Sequence, residues 1–295
     1  MGSDSMKILV NEIAQEIATG SLASDAARLY KNNADLFIRN GFPCGRDVRL
    51  EDGDRLVLIK KGEMPKREEL EHLLMARHTP GVHDRLKNAT VGIAGCGGLG
   101  STAAVALARA GIGKLIIADF DVVEPSNLNR QQYFVEHIGQ PKVEALKEII
   151  QKANPFAEVE CHQVRITPDN VSQLYKTADV IVEAFDLADQ KLMLAEAVQK
   201  QMPDKPLVIG NGMAGWGDNN LLRTRKVGNI HICGDEVSEA GPGMGLMAPR
   251  VGLAACLEAN QALEILLGPD PRIQSFVEQE KQNLLNIKQP KGERC

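Results

Sequence analysis

Residues 91–101 read Val-Gly-Ile-Ala-Gly95-Cys96-Gly97-Gly98-Leu99-Gly100-Ser101, an apolar run followed by a turn of small residues and the start of a helix. Glycines at such a turn let the backbone approach a phosphate, and the helix N-terminus offers free N–H groups to an anion. Gly95, Gly97 and Gly100 alone would suit any dinucleotide-binding enzyme, or a tight turn that only packs a helix on a strand. Asp119 closes the next apolar run, Leu115-Ile-Ile-Ala118, where an acid holds ribose hydroxyls in nucleotide-binding folds. To this point a nicotinamide dinucleotide and ATP are served equally.

The residues that follow separate the two. Asp119-Phe-Asp121 runs on to Ser126-Asn127-Leu-Asn129-Arg130-Gln131, and Pro141-Lys142 opens a helix. A triphosphate can use both cations, Arg130 as a fork onto phosphate oxygens and Lys142 as a compact charge; a nicotinamide has no need of either. Asp186 lies just beyond the apolar run Val180-Ile-Val-Glu183. The carboxyl ends of strands in an open α/β sheet face the ligand crevice, so Asp186 should point at the phosphates. A carboxylate facing phosphates calls for a metal between them, and Mg²⁺ takes one or two carboxylates together with substrate oxygens. The plain alternative is that Asp186 caps the following helix, for which Asp189 is better placed.

Alternating elements must position these residues. Strands are expected at Val91–Ala94, Lys114–Ala118, Val159–Arg165, Asp179–Glu183 and Pro206–Ile209. Helices are expected at Gly100–Ala110, Pro141–Lys152, Asp189–Gln201 and Val251–Leu267. Apolar strands alternating with amphipathic helices predict an α/β fold with a doubly wound, mostly parallel sheet. Ahead of it, strands at Lys7–Val10, Asp35–Arg39 and Arg55–Lys60 and a helix from Ser24 describe a small β/α domain. Its last strand follows the reversal Glu51-Asp52-Gly53-Asp54. The division is residues 1–5 as an expression scar, 6–64 as the small domain, 65–88 as a helical linker and arm, 89–268 as the nucleotide-binding domain and 269–295 as a C-terminal helix and tail.

Taken in order, Gly-x-Gly-Gly-Leu-Gly-Ser, Asp119 and Asp121, Ser126 to Gln131, Lys142 and Asp186 resemble the ThiF/MoeB adenylyltransferases of the ubiquitin-activating-enzyme superfamily, in a short ThiF-like branch. The resemblance implies a Rossmann-like fold and ATP- and Mg²⁺-dependent adenylation of the C-terminal glycine of a ThiS-like sulfur carrier ending in Gly-Gly, with thiamine (thiazole) biosynthesis as the expected pathway and molybdopterin or another sulfur transfer as the alternatives. It also implies a role for each residue. Gly95, Gly97, Gly98 and Gly100 would cradle the nucleotide, Asp119 would hold its ribose, and Asp121 would also belong to the cofactor-binding set. Asn127, Arg130, Gln131 and Lys142 would engage the phosphates, and Asp186 would hold Mg²⁺. Arg77, in the arm, would reach the ATP of a partner subunit in a homodimer. Residues 6–64 resemble the β-grasp sulfur carriers of the ThiS kind. Those end in a free diglycine, whereas Lys61-Gly62-Glu63-Met64-Pro65 runs on into more chain, so this domain cannot itself be the carrier.

Two departures accompany the resemblance. Family members often carry two Cys-x-x-Cys pairs for zinc, but this sequence has none, and no zinc is expected; Gly241-Pro-Gly-Met-Gly-Leu-Met-Ala-Pro249 would have to close the sheet without metal. Cys233 and Cys256 are the candidates for a covalent link to the carrier, and each reads more readily as a packed small apolar residue.

Composition bounds the remaining classes. With 295 residues, 43% hydrophobic content and a net charge of -5, the chain should fill about two domains and has no use for a nucleic-acid or anionic-membrane surface. Aromatics at 4% are too sparse for a base-stacking or carbohydrate platform. The absence of a long apolar run or an apolar leader, and six scattered cysteines, predict a soluble, reduced, cytoplasmic protein. A nicotinamide or flavin oxidoreductase and a non-catalytic carrier-binding scaffold remain the competing readings.

Overall fold

The computed structural model describes residues 5–63, 70, 71, 73, 81–270 and 273–279. The chain divides into two units, Met1–Pro80 and Gly81–Cys295. Arg77 and most of the expected linker and arm lie outside the described residues, as does Cys295.

In the first unit, alternate residues of β1 (Ser5–Val10) turn inward as Met6, Ile8 and Val10. Leu56 and Leu58 of β5 (Arg55–Ile59) and Phe37 of β3 (Leu36–Arg39) do the same, and Ala23, Ala26 and Ala27 of the helix Ala23–Tyr30 close this core. With β2 (Ile13–Ala18) and β4 (Phe42–Pro43) the sheet order is β2-β1-β5-β3-β4. Only the β1–β5 pair is parallel. The reversal before β5 is pinned as expected: Gly53 has φ +84°, and Asp54 Oδ2 accepts the Glu51 N–H at 2.8 Å. This is a β-grasp arrangement.

The second unit is a seven-stranded sheet in the order β11-β12-β10-β9-β6-β7-β8. Its strands are β6 (Thr90–Ala94), β7 (Lys114–Ala118), β8 (Glu158–His162), β9 (Val180–Glu183), β10 (Leu207–Gly210), β11 (Arg223–Val227) and β12 (Ile230–Gly234). All neighbours are parallel except β11 and β12. Strands buried on both faces read as near-continuous apolar runs, as Val-Ile-Val and Leu-Ile-Ile-Ala do here. The chain moves outward from β6 to β7 and β8 and then returns to lay β9 on the other side of β6. That reversal opens a crevice at the carboxyl ends of β6 and β9.

Helices cover both faces. Gly98–Ala110, Lys142–Ala153 and Ala248–Leu267 pack over one apolar cluster around Val91, Ile93, Leu115 and Leu146, while Val171–Tyr175 and Ala188–Gln201 pack over a second around Ile116, Ile181 and Tyr175. β8 ends three residues short of the expected Arg165, and the chain bends there toward the crevice. Asp189 does not cap its helix: the N-cap position is Leu187, without a side-chain bond, and Asp189 sits in the first turn.

Candidate functional site

A cavity of about 290 Å³ opens at that crevice, and five groups of residues make most of its lining. From the turn after β6 come Gly95, Gly97 and Gly98; from the end of β7 come Asp119, Phe120 and Asp121. Arg130, Gln131 and Lys142 form a third group, Val164, Arg165 and Ile166 a fourth, and Phe185, Asp186 and Leu187 a fifth.

The four glycines divide into two pairs with different jobs. Gly97 and Gly98 are partly exposed at the cavity. A Cβ at Gly97 would meet only Gln131 Nε2, at 3.9 Å. Gly95 has φ +99°, and a Cβ there would lie 2.8 Å from the Ala184 carbonyl oxygen. Gly100 is buried, outside the cavity lining, and a Cβ would fall 1.9 Å from the Gly95 carbonyl oxygen. Gly100 is therefore where helix and turn touch. The helix begins at Gly98, with no capping side chain and no acid in its first turn, so its first N–H groups and the positive end of its dipole remain available to an anion.

Asp119 ties two loops together. Its Oδ2 accepts the Cys96 N–H at 2.7 Å and its Oδ1 the Asp121 N–H at 2.8 Å. A carboxylate has about four acceptor positions, so room remains for ribose hydroxyls. Tyr133, its phenol pushed far up by burial, donates to the carbonyls of Cys96 (2.7 Å) and Lys142 (3.3 Å), which fixes the glycine turn against the helix that carries the lysine.

Lys142 is 7% exposed, and its Nζ lies 2.9 Å from Asp121 Oδ2. Arg130 packs its stem against Gly98 and donates to the Ser126 carbonyl and to Asn129 Oδ1. Gln131 Oε1 is buried in the lining with no hydrogen-bond partner. Asn127 is a turn residue: its Oδ1 accepts the Glu124 N–H at 3.0 Å, and it lies outside the lining, so the structure does not bring it to the phosphate site. Asp186 is exposed in the lining, beyond the end of β9.

Sequence reasoning passed over the supports of this wall. Glu183, fully buried, accepts the Phe185 N–H at 2.6 Å and pairs with Lys191 Nζ at 3.0 Å, shaping the turn that presents Asp186. Burial pushes its carboxyl up, and Lys191 opposes that shift. Arg250, also buried, donates to Asp235 Oδ2 at 2.6 Å and to the Gly217 carbonyl. Asp235 in turn accepts from the N–H groups of Val237 and Ser238 and from Ser238 Oγ. Burial alone would raise the Asp235 carboxyl, but the bonds from Ser238, Arg250 and Val237 hold it well below the usual range. This network binds the segments after β10 and β12 to the start of the last helix. Met213, Leu246 and Val251 of those segments close the cavity. Cys233 is fully buried, its thiol pushed up to about 12 mainly by burial, and it packs in the core. Cys256 is exposed on the last helix, outside the cavity lining.

The donor set fits both groups that the sequence implies. An uncapped helix end and two cations suit the phosphates of a nucleotide triphosphate, and the exposed carboxylate of Asp186 beside them suits Mg²⁺ shared with phosphate oxygens. Among the described residues no helix is long and apolar enough to cross a membrane.

Fold and site together define a doubly wound α/β domain with a cavity whose lining suits a nucleotide, preceded in the sequence by a β-grasp unit. The chain belongs to the ThiF family, whose profile matches residues 71–294, and residues 6–62 match the ThiS-like ubiquitin profile. The adenylyltransferase and sulfurtransferase UBA4 of Kluyveromyces lactis is 32% identical over 192 residues, covering 62% of this chain and 43% of that protein. The adenylyltransferase and sulfurtransferase MOCS3 of Culex quinquefasciatus is 31% identical over 194 residues, covering 63% and 43%. The match thus spans less than half the length of these relatives. The E. coli tRNA N6-threonylcarbamoyladenosine dehydratase TcdA, solved with ATP, superposes with a TM-score of 0.60 at 23% identity over 66% of this chain and 92% of its own, a likeness of fold.

Proposed function

We propose that the chain is an ATP- and Mg²⁺-dependent adenylyltransferase that activates the C-terminal glycine carboxylate of a ThiS-like sulfur carrier. The observation that carries this reading is the gathering of Gly97, Gly98, Arg130, Lys142 and Asp186 around one cavity. The two cations favour a triphosphate over a nicotinamide.

In the reaction a glycine carboxylate oxygen attacks the α-phosphorus. A new P–O bond forms, the bond to the β-phosphate oxygen breaks, and pyrophosphate leaves with the electron pair. Both reactants are anionic, so the chain's task is to neutralise charge and align the reacting atoms. Lys142 exchanges Asp121 for a phosphate oxygen, Arg130 forks onto the departing phosphates, and the N–H groups at Gly98 and beyond meet the oxygens between them. Asp119 holds the ribose. Asp186 would hold Mg²⁺, which when bound would add to the neutralisation of the phosphates. No covalent help from Cys233 is called for.

The finer parts of the proposal are that the carrier serves thiazole formation for thiamine and that the enzyme acts as a homodimer in which Arg77 serves the neighbouring site. ATP–pyrophosphate exchange measured with a panel of purified carriers ending in Gly-Gly tests the reaction. Exchange dependent on one carrier is expected; no exchange with any carrier, in a protein that binds ATP, would overturn it.

A further inference from the structure

A side chain that never reaches the cavity holds the glycine turn from outside it. Tyr133 is 4% exposed and lies outside the lining, in the apolar cluster that also contains Cys96, with its ring edge-on to His137 at 6.3 Å. Its hydroxyl, kept protonated by burial, donates to the Cys96 carbonyl at 2.7 Å, and the Lys142 carbonyl lies 3.3 Å away. Asp119 Oδ2 takes the Cys96 N–H, also at 2.7 Å. Cys96 is therefore held at both ends of its backbone, by side chains from two different segments.

The orientation of the next peptide unit follows. Among the described residues every peptide bond is trans, and in a trans peptide the C=O and the following N–H point in opposite directions. A Cys96 carbonyl turned toward the buried Tyr133 thus turns the Gly97 N–H away from it, to the side on which Gly97 lines the cavity. That N–H has no hydrogen-bond partner among the described residues, and a Cβ at Gly97 would meet only Gln131 Nε2, so its approach is open. Glycine backbone is also the easiest to turn, so a peptide unit beside Gly97 would readily flip without a tether. Tyr133 is that tether.

We infer that Tyr133 is a positioning residue for the phosphates: by holding the Cys96 carbonyl it keeps the Gly97 N–H aimed at a phosphate oxygen in the cavity. The inference rests on the nucleotide reading of the site above. The hydroxyl is the part that acts, since phenylalanine keeps the ring and its packing and loses only the donor. A role in packing alone would weaken every ligand alike. Aiming one N–H matters only to ligands that carry phosphate.

The test is a nuclear magnetic resonance titration of the full-length protein labelled with carbon-13 in the cysteine carbonyls and nitrogen-15 in the glycines. That pair of labels reports only Cys-Gly peptides, which are Cys44-Gly45, Cys96-Gly97 and Cys233-Gly234. The signal lost in G97A identifies the second. In the wild type, ATP with Mg²⁺ should shift the Gly97 amide, and adenosine, which has no phosphate, should shift it much less. Y133F should bind ATP about tenfold or more weakly, the scale of one hydrogen bond to a charged group, with adenosine affinity within twofold of the wild type. An unmoved Gly97 amide in a wild type that binds ATP overturns the inference without any variant having to fold. Equal losses for ATP and adenosine in Y133F, or ATP affinity within twofold of the wild type, overturn it as well. Failure of the wild type to bind ATP would instead remove the nucleotide reading itself.

Discussion

Lys142 Nζ sits 2.9 Å from Asp121 Oδ2, with the lysine side chain 8% exposed and the aspartate 46%. The pair is lopsided: the cation is sunk into the wall of the cavity while its partner can swing out into water. A phosphate entering the cavity can therefore replace Asp121 without Lys142 moving. Lys142→Met should lower ATP–pyrophosphate exchange by about a hundredfold or more. Asp121→Asn leaves the buried lysine without its counter-charge in the free protein, so ATP should raise the melting temperature of this variant more than that of the wild type. A smaller rise would mean that Asp121 holds the nucleotide directly.

Asp186 and Arg130 stand at the same cavity from different segments, so each can be removed separately. Asp186→Asn and Arg130→Ala should each slow exchange by about a hundredfold, with circular dichroism and melting temperature near the wild-type values, since Asp186 is exposed and the Arg130 head bonds to the nearby Ser126 and Asn129. Near-normal exchange in either variant removes that residue from the mechanism. Excess Mg²⁺ should restore part of the Asp186→Asn activity and none of the Arg130→Ala activity.

The Arg250–Asp235 bond holds together what the sequence left without a metal. Arg250→Met strands the Asp235 charge in the interior, and breaking a buried pair from one side costs about 3–5 kcal/mol. Chemical denaturation should show that loss. Replacing both partners, as Arg250→Met with Asp235→Leu, should recover part of it. A single variant with unchanged stability would show that the loop is held by other contacts.

Glu258 lies within the last helix, fully buried, with neither carboxyl oxygen hydrogen-bonded. Burial, and secondarily the nearby Glu183, push its carboxyl well above the ordinary 4.5, with Lys191 opposing. The folded protein therefore keeps Glu258 protonated over a range in which the unfolded chain is ionised. Stability from this group is fully present below the unfolded value and is lost as pH rises toward the folded one. Relative to Glu258→Gln, which carries no proton to lose, the wild type should lose about 1.4 kcal/mol per pH unit at most across that window. Urea unfolding at about pH 5 and about pH 7 measures it; parallel pH profiles for the two proteins would show that Glu258 is ionised in the fold.

Most of the parallel sheet was legible because its central strands are continuous apolar runs: Lys114–Ala118 occupies the predicted residues, whereas β12, parallel to β10, was not foreseen. The antiparallel β11 was not, because its residues, Arg-Thr-Arg-Lys-Val, are those of an exposed edge kept polar. β2 was hidden behind an unmarked reversal, in which Asn11 and Glu12 adopt positive φ of 48° and 68° where Asn-Gly would be the usual signal. In the site, charged residues that stand next to a glycine turn could be found from spacing. Glu183 could not, because a carboxylate ending an apolar run looks like any strand boundary until Lys191 is seen across from it.

The glycines show the same limit most sharply, since the motif gives them one letter and the fold gives them two duties. Gly97→Ala adds a methyl where only Gln131 Nε2 is near, at 3.9 Å, so the protein should fold with nearly wild-type stability. The methyl would stand in the cavity, and nucleotide affinity should fall by about tenfold or more, as expected when backbone approach to a phosphate is blocked. Gly100→Ala sets its methyl 1.9 Å from the Gly95 carbonyl oxygen, which cannot rotate away as a side chain could. Helix and turn must separate, at a cost of about 1–3 kcal/mol or more for overpacking. The two alanines should thus part company in paired measurements of denaturant midpoint and ATP affinity: the first variant stable and weak-binding, the second unstable from the outset. Equal stability loss in both would place Gly97 in the packing class with Gly100 and take it out of the phosphate cradle.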